Sequence, residues 1–371
     1  MIKLNPGIFN MKYYIIAGEP SGDIYGSRLI KEILQQNPKA KIRCWGGDLM
    51  KNSGGELVMH YKDLAFMGFL EVLKNIFKIL KNLSFCKKDI LKFKPDKLIF
   101  IDYPGFNLRI AKWAKKNSFN NYFYISPQIW AWKENRVKSI KRYINQMYVI
   151  LPFEKEFYEK KHNYNVQYFG HPLVNIIDES LKSFNKKNKK KPIIAILPGS
   201  RKQEINLILD KILDITNDFE EYEFVVAGIN HIKKETYNKV IKNKNIRVVF
   251  NQTYELLNNS KAAIVTSGTA TLETALIGTP QIVCYITNSF NMFLARLFVK
   301  INFISLVNLI LNKETVKELI QSDVNAKNIK SELKQILTEK EISIKKDYKN
   351  LKKLLRGENI ESKIVNHINN N

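Results

Sequence analysis

The chain has 371 residues, 45% of them hydrophobic, and a formal net charge of +25. That length exceeds one ordinary domain and suits two, each with its own core. No run of about 18 uncharged apolar residues occurs, so no transmembrane helix is expected. The three cysteines, Cys44, Cys86 and Cys284, are far apart, which argues against a disulfide framework or a zinc site and fits a reducing cytoplasm. Residues 1–10 carry one Lys and lack the apolar run of a secretory signal, so no leader is expected. The excess charge has two readings: the Lys, Asn and Ile richness of an A/T-rich coding bias, or attraction to an anionic partner such as nucleic acid, phospholipid headgroups or a phosphorylated substrate.

Strands are expected at 12–17, 41–45, 97–102, 121–125 and 147–151, with helices at 21–36 and 107–116 between them. This alternation predicts a parallel sheet covered on both faces. The pattern lapses after His171, and the lysine-rich run 185–191 reads as an exposed linker. It restarts with strands at 193–197, 223–227, 247–250, 262–266 and 281–285, and the last 40 residues read as charged helices. The expected organisation is therefore a Rossmann-like domain over 11–180, a basic linker over 181–192 and a second Rossmann-like domain over 193–335. Helices over 336–371 are expected to pack back on the first domain or on a partner.

Two runs dominate the second half: Leu197-Pro198-Gly199-Ser200-Arg201 and Thr266-Ser267-Gly268-Thr269-Ala270-Thr271-Leu272-Glu273. Each follows a strand and opens a helix, so each delivers backbone N–H groups to a helix N-terminus, where phosphate binds. Arg201 offers a planar fork for phosphate oxygens, and Glu204 can orient it or pair with it on the surface. Ser267 and Thr269 can meet phosphate. Glu273, one turn into its helix, can accept ribose hydroxyls or simply complement the helix N-terminus. Together these runs point to a nucleotide-sugar enzyme.

In the first half, Gly18-Glu19-Pro20-Ser21-Gly22-Asp23 follows the first strand; Ser21 can cap the next helix, and the glycines admit close backbone approach. Asp102 ends a strand and is a candidate general base or a brace of its own turn. In Ser126-Pro127-Gln128-Ile129-Trp130-Ala131-Trp132 the indoles can face a sugar or acyl chain, or fill core. His171 can meet a ligand or sit at a hinge. From Leu64 to Leu83 one helical face carries Phe66, Phe69, Leu70, Leu73, Ile76, Phe77 and Leu80, widened by Met67, Val72 and Ile79 and flanked by Lys74, Lys78 and Lys81. That pattern fits an interfacial membrane helix or an amphipathic core helix. The apolar stretch 290–311, broken by Arg296, Lys300 and Asn302, reads as core or as an acyl-chain contact.

These runs, in this order, resemble the lipid-A-disaccharide synthases, bacterial glycosyltransferases of GT-B fold (family 19 type). The resemblance also rests on Met67-Gly68-Phe69-Leu70-Glu71-Val72-Leu73, Asp102-Tyr103-Pro104-Gly105-Phe106-Asn107, Leu151-Pro152-Phe153-Glu154, Gly170-His171-Pro172 and Ser305-Leu306-Val307-Asn308 with Glu318-Leu319, and spans about 12–319. It implies two Rossmann-like parallel-sheet domains facing a central cleft, and no cofactor or metal. It implies the transfer of a diacylglucosamine from UDP-2,3-diacylglucosamine to 2,3-diacylglucosamine 1-phosphate (lipid X), with inversion, giving the β-1,6 disaccharide 1-phosphate and UDP. Asp102 would then be the base. Gly199, Ser200, Arg201, Glu204, Ser267, Gly268, Thr269 and Glu273 would hold UDP, and Glu19, Ser21 and Asn308 would position substrate. Met67, Phe69, Leu70, Leu73, Ile76, Phe77 and Leu80 would touch acyl chains or the cytoplasmic face of the inner membrane. Val307 departs from the Pro common in relatives. The competing readings are another GT-B enzyme such as a UDP-GlcNAc 2-epimerase, a catalytically dead membrane scaffold, and a nucleic-acid binder. No nucleic-acid motif is present, so no nucleic-acid partner is expected. The oligomeric state is open.

Overall fold

A computed structural model describes residues 10–64, 76–184, 191–230, 232–241, 246–287 and 302–371. The chain forms two α/β units, one running to Pro172 and including Gly357–Asn371, the other Leu173–Arg356.

The first unit holds β1 Lys12–Ala17, β2 Lys41–Gly46, β3 Glu56–His60, β4 Lys97–Ile101, β5 Asn121–Tyr124, β6 Gln146–Val149 and β7 Gln167–Tyr168. They pair in parallel in the order β3-β2-β1-β4-β5-β6-β7. Helices α1 Pro20–Gln36, α2 Asp48–Asn52, α3 Ile76–Phe93, α4 Pro104–Lys116, α5 Arg136–Tyr143 and α6 Pro152–Glu156 accompany them. The central strands are buried on both faces, which is why they read as continuous apolar runs. Alternation then sorts their side chains: Tyr14 and Ile16 enter one core layer, Tyr13, Ile15 and Ala17 the other.

The second unit begins with α7 Pro172–Lys182, whose Leu173, Val174 and Ile177 are buried in that unit's core. The units therefore part ahead of 181–192; the middle of that expected linker, 185–190, lies outside the described residues. Strands β8 Ile193–Leu197, β9 Glu223–Gly228, β10 Ile246–Phe250, β11 Ser260–Thr266, β12 Gln281–Tyr285 and β13 Glu318–Ile320 pair in the order β10-β9-β8-β11-β12-β13. All are parallel. The helices are α8 Lys202–Leu213, α9 Lys234–Val240, α10 Thr253–Asn258, α11 Thr269–Ile277, α12 Leu306–Leu311, α13 Ala326–Leu337 and α14 Glu341–Leu355.

The chain's last helices go to different units. Ile344, Tyr348, Leu351 and Leu355 of α14 join the second core, whereas Ile360, Ile364, Val365 and Ile368 of α15 (Ile360–Asn370) join the first. Gly357 makes the turn possible, since a Cβ there would stand 1.9 Å from the Phe169 carbonyl oxygen. Arg28 pairs with Glu361 at 2.6 Å, and the Tyr13 hydroxyl donates to Asn369 at 2.6 Å.

In both sheets the strand order reverses beside the first strand, between β1 and β4 and between β8 and β11. Helices leave such a pair toward opposite faces, opening a crevice at the strands' carboxyl ends where ligands of α/β folds bind. Every motif singled out above for catalysis or for UDP follows one of these four strands.

Candidate functional site

At the first reversal, β1 runs into Gly18-Glu19. A Cβ on Gly18 would stand 2.3 Å from the Tyr103 ring, so the two strand ends close on each other only with glycine here. Pro20 takes the first turn of α1, where its fixed φ suits the helix. Glu19 thereby becomes the N-cap, with no side-chain cap bond, and Ser21 lies inside the helix instead of capping it. The buried Asp23 accepts from the N–H groups of Gly47 (2.8 Å), Leu49 (3.2 Å) and Met50 (3.0 Å), fixing the turn after β2.

Across the reversal, Asp102 and Tyr103 sit at φ 44° and 47°. Two consecutive non-glycine residues in the left-handed region cost about 1–3 kcal/mol each. The surroundings hold them there. Asp102 N–H donates to the Tyr124 carbonyl (3.2 Å), the Tyr103 hydroxyl donates to the Leu64 carbonyl (3.2 Å), and the buried Asn107 amide donates to the Asp102 carbonyl (2.7 Å). Tyr103 also stacks on Phe106, with ring centroids 5.6 Å apart. The Asn107 Oδ1 is buried without a partner among the described residues. Burial, and next the charge of Glu19, push the Asp102 carboxyl up to about 7; burial raises Glu19 as well. A carboxyl poised near neutrality at a strand's carboxyl end has the chemistry of a general base.

The loop after β5 is braced from below. Ile125, β-branched, adopts φ 68°. Ser126 Oγ and the Tyr158 hydroxyl lie 2.7 Å apart. Trp130 Nε1 donates to Glu154 at 3.2 Å, and its ring meets the Phe153 edge with centroids 4.9 Å apart. Glu154 is 1% exposed, accepts from the Ile150 and Leu151 N–H groups, and is pushed up to about 7 by burial. Trp130 is thus a half-buried brace, while Trp132 is 45% exposed. His171 is buried, which holds it neutral by pushing its pKa down to about 3.

At the second reversal, Gly199 has φ 99°, and a Cβ on it would meet Glu204 Oε2 at 2.6 Å and Thr266 Cγ2 at 3.3 Å. Glu204 accepts from Arg201 Nη1 at 2.8 Å and leaves the guanidinium side chain 68% exposed. Ser200 is exposed. Gly268 has φ 152°, a value only glycine adopts readily, and faces open space where a Cβ would be. Thr269, exposed, begins α11, and the Ser267 hydroxyl donates to the Ile304 carbonyl at 3.3 Å. Glu273 accepts from the Tyr254 hydroxyl at 3.0 Å, and burial raises its pKa. The Thr266 hydroxyl is buried without a partner among the described residues. Apart from position, its sequence signal is nil, since a strand-final Thr is commonplace.

Asn308 differs from its expected role. It is fully buried, and its amide donates to the Val316 carbonyl (2.8 Å) and Glu318 (2.9 Å) while accepting from the N–H groups of Thr315 (2.8 Å) and Val316 (3.0 Å). Two donors and two acceptor sites are all an amide has, so none remains for substrate. Glu318 in turn accepts from the Ile304 and Ser305 N–H groups, both at 2.9 Å. The pair therefore fixes the segment that Ser267 touches. Replacing Asn308 with Ala strands these buried partners and is expected to cost about 3 kcal/mol, lowering Tm by about 6–12 °C; a thermal melt checks it.

Of the apolar face, Met67, Phe69, Leu70 and Leu73 lie outside the described residues, as does most of 290–311. Ile76, Phe77 and Leu80 open α3 at 36%, 83% and 54% exposure, whereas Leu83, Cys86 and Ile90 on the same helix are buried. Among the described residues no helix is long and apolar enough to cross a membrane.

Residues 13–369 match the family model described as lipid-A-disaccharide synthetase. The lipid-A-disaccharide synthase of Syntrophus aciditrophicus is 35% identical over 336 residues, covering 87% of each chain. That of Coxiella burnetii is 35% identical over 338 residues, covering 88% of this chain and 89% of the relative. Among solved structures, the UDP-GlcNAc 2-epimerase of Neisseria meningitidis superposes with TM-score 0.66 at 16% identity, covering 97% of this chain and 100% of its own. The calicheamicin glycosyltransferase CalG4 gives 0.62 at 11%, covering 97% and 98%. At such identities these two establish the GT-B fold alone. The chain belongs to the lipid-A-disaccharide synthase family: it is a glycosyltransferase of GT-B fold serving lipid A disaccharide synthesis.

Proposed function

We propose that the protein is an inverting glycosyltransferase that joins UDP-2,3-diacylglucosamine to 2,3-diacylglucosamine 1-phosphate (lipid X). The products are the β-1,6 disaccharide 1-phosphate and UDP. The observation that carries this reading is Asp102, held left-handed at the first strand reversal with its carboxyl raised to about 7 by burial and Glu19. In its anionic form Asp102 takes the proton of the acceptor 6-hydroxyl as that oxygen attacks the anomeric carbon, and the C–O bond to UDP breaks on the opposite face. Arg201 and the N–H groups following Gly199 and Gly268 meet the diphosphate charge as it leaves. Glu273, steadied by Tyr254, accepts from the ribose hydroxyls. Glu19 supports Asp102 through charge, and Ser21, in the first turn of α1, helps position substrate. No cofactor is invoked; turnover is expected to persist in EDTA.

The test is product formation from both lipids in detergent micelles with EDTA present. A disaccharide phosphate and UDP are expected. Well-folded, UDP-binding protein that makes no disaccharide would overturn the acceptor assignment.

The start of α3 is the membrane contact in this reading, placing the enzyme peripherally on the cytoplasmic face of the inner membrane. Phe77 and Leu80 stand in water beside Lys78 and Lys81, an arrangement suited to a headgroup–acyl boundary. Burying such a side chain contributes about 1.5–3 kcal/mol. Phe77→Asp with Leu80→Asp is therefore expected to weaken partition onto anionic vesicles by about 100-fold without lowering Tm, as read by vesicle co-sedimentation and a melt.

A further inference from the structure

Beside the Asp102 turn lies a group of cations that the reaction scheme does not use. Arg109 projects from α4, the helix that starts directly after Asp102-Tyr103, about one and a half turns in. Trp132 and Lys133 precede α5, which Arg136 opens, and α4 and α5 pack against each other. The Lys133 amine stands 4.2 Å, and the Arg136 guanidinium 5.6 Å, from the centre of the Trp132 ring. Lys133 is held there by an uncommon backbone, φ 56°, closed by a hydrogen bond from Arg136 N–H to its carbonyl at 3.0 Å.

Among the described residues, no carboxylate neutralises this group. Glu134, between Lys133 and Arg136 in sequence, is committed elsewhere: it lies 2.7 Å from the Lys161 amine and 3.0 Å from the His162 ring. Arg109, Lys133 and Arg136 form no ion pair with any described residue. Two of the three sit where charge is disfavoured: burial first, then the charge of Arg109, lowers the Arg136 pKa, and burial followed by Arg136 lowers that of Lys133. Arg109 also acts electrostatically on Tyr103, the neighbour of Asp102. Like charges gathered on and beside an exposed aromatic ring, with no counter-ion among the described residues, are stabilised by an incoming dianion.

We propose that Lys133 and Arg136, mounted over Trp132, together with Arg109 beside them, form a subsite for the phosphate monoester of the acceptor. It would place the sugar for the attack that Asp102 assists, and it rests on the acceptor reading above. Arg136 and Lys133 supply hydrogen bonds to the phosphate oxygens, and the indole face covers the adjoining ring. A membrane phosphodiester carries one negative charge fewer, and makes the weaker ligand for three cations.

The experiment uses the full chain and the exposed-site variants Arg109→Gln and Lys133→Gln, whose folding is checked by Tm. In micelles each is expected to raise KM for the acceptor phosphate about tenfold, leaving the donor KM and UDP binding unchanged. Separately, glucosamine 1-phosphate is expected to raise the Tm of the wild type and much less that of Lys133→Gln. An unchanged acceptor KM with active enzyme overturns the subsite and leaves the function standing. Loss confined to binding of phosphatidylglycerol vesicles, with the acceptor KM in micelles intact, assigns the cations to lipid headgroups and also overturns it. Should the wild type make no disaccharide, the functional reading fails, and the thermal-shift arm still decides whether the cations take a phosphate monoester.

Discussion

Asp102→Asn is expected to lower kcat by about 10²–10⁴-fold, the usual contribution of a positioned base, with UDP affinity unchanged. The pH profile carries the sharper expectation. The base works as the anion, and its pKa lies at about 7 because of burial and Glu19; wild-type kcat therefore rises with pH through about 7 and levels above it. The Asn variant lacks that ascending limb. Stability moves in the opposite sense. A carboxyl whose pKa is raised from 3.8 to about 7 on folding contributes stability that is fully present below 3.8 and is lost as pH rises to about 7. Asn carries no charge, so the variant is expected to melt close to the wild type at about pH 4 and higher at about pH 8. A gain of about 1 kcal/mol corresponds to about 2–4 °C. Near-normal turnover in the variant would remove Asp102 from the chemistry. A destabilised variant at high pH would mean that the carboxylate, not the fold around it, sustains the left-handed turn.

Arg201→Ala is the second large effect, expected to lower kcat/KM by about 10²–10³-fold, as removal of one pre-aimed donor to a developing anion does. The side chain is 68% exposed and anchored only through Glu204 among the described residues, so Tm is expected to hold. Arg201→Lys restores charge without the planar fork and should recover a small part of the loss. Glu204→Gln keeps shape while weakening the ion pair, and should cost less than the Ala variant. Isothermal titration with UDP beside steady-state kinetics separates ground-state binding from stabilisation of the departing diphosphate. Equal losses in UDP affinity and kcat/KM would make Arg201 a plain binding residue.

Much of this is legible in the chain before it folds. The central strands announce themselves because, buried on both faces, they must be largely apolar, as Ile193–Leu197 is throughout and Lys97–Ile101 is after its first residue. The glycine turns are legible because only glycine takes φ 99° at position 199 or tolerates the Tyr103 ring against position 18. Strands β3, β7 and β13 are not, since each lies on a sheet edge and carries Glu56, Gln167 or Glu318 where a core strand would be apolar, and β7 and β13 are only two and three residues long. Ser21 looks like a helix cap until Pro20 is seen to start the helix one residue earlier.

What the sequence by itself determined is therefore the class: two parallel α/β halves, their phosphate-type turns and a family membership, because those depend on local periodicity and on residues adjacent in the chain. Only the tertiary structure decided the use of individual side chains. It spent all four bonding positions of Asn308 on the fold, divided the C-terminal helices between the two units, and brought Arg109 of one helix to Arg136 of the helix packed against it and to Lys133 in the loop before that helix. It also raised the Asp102 carboxyl to about 7. Burial and through-space charge join residues distant in sequence, and no pattern along the chain encodes them.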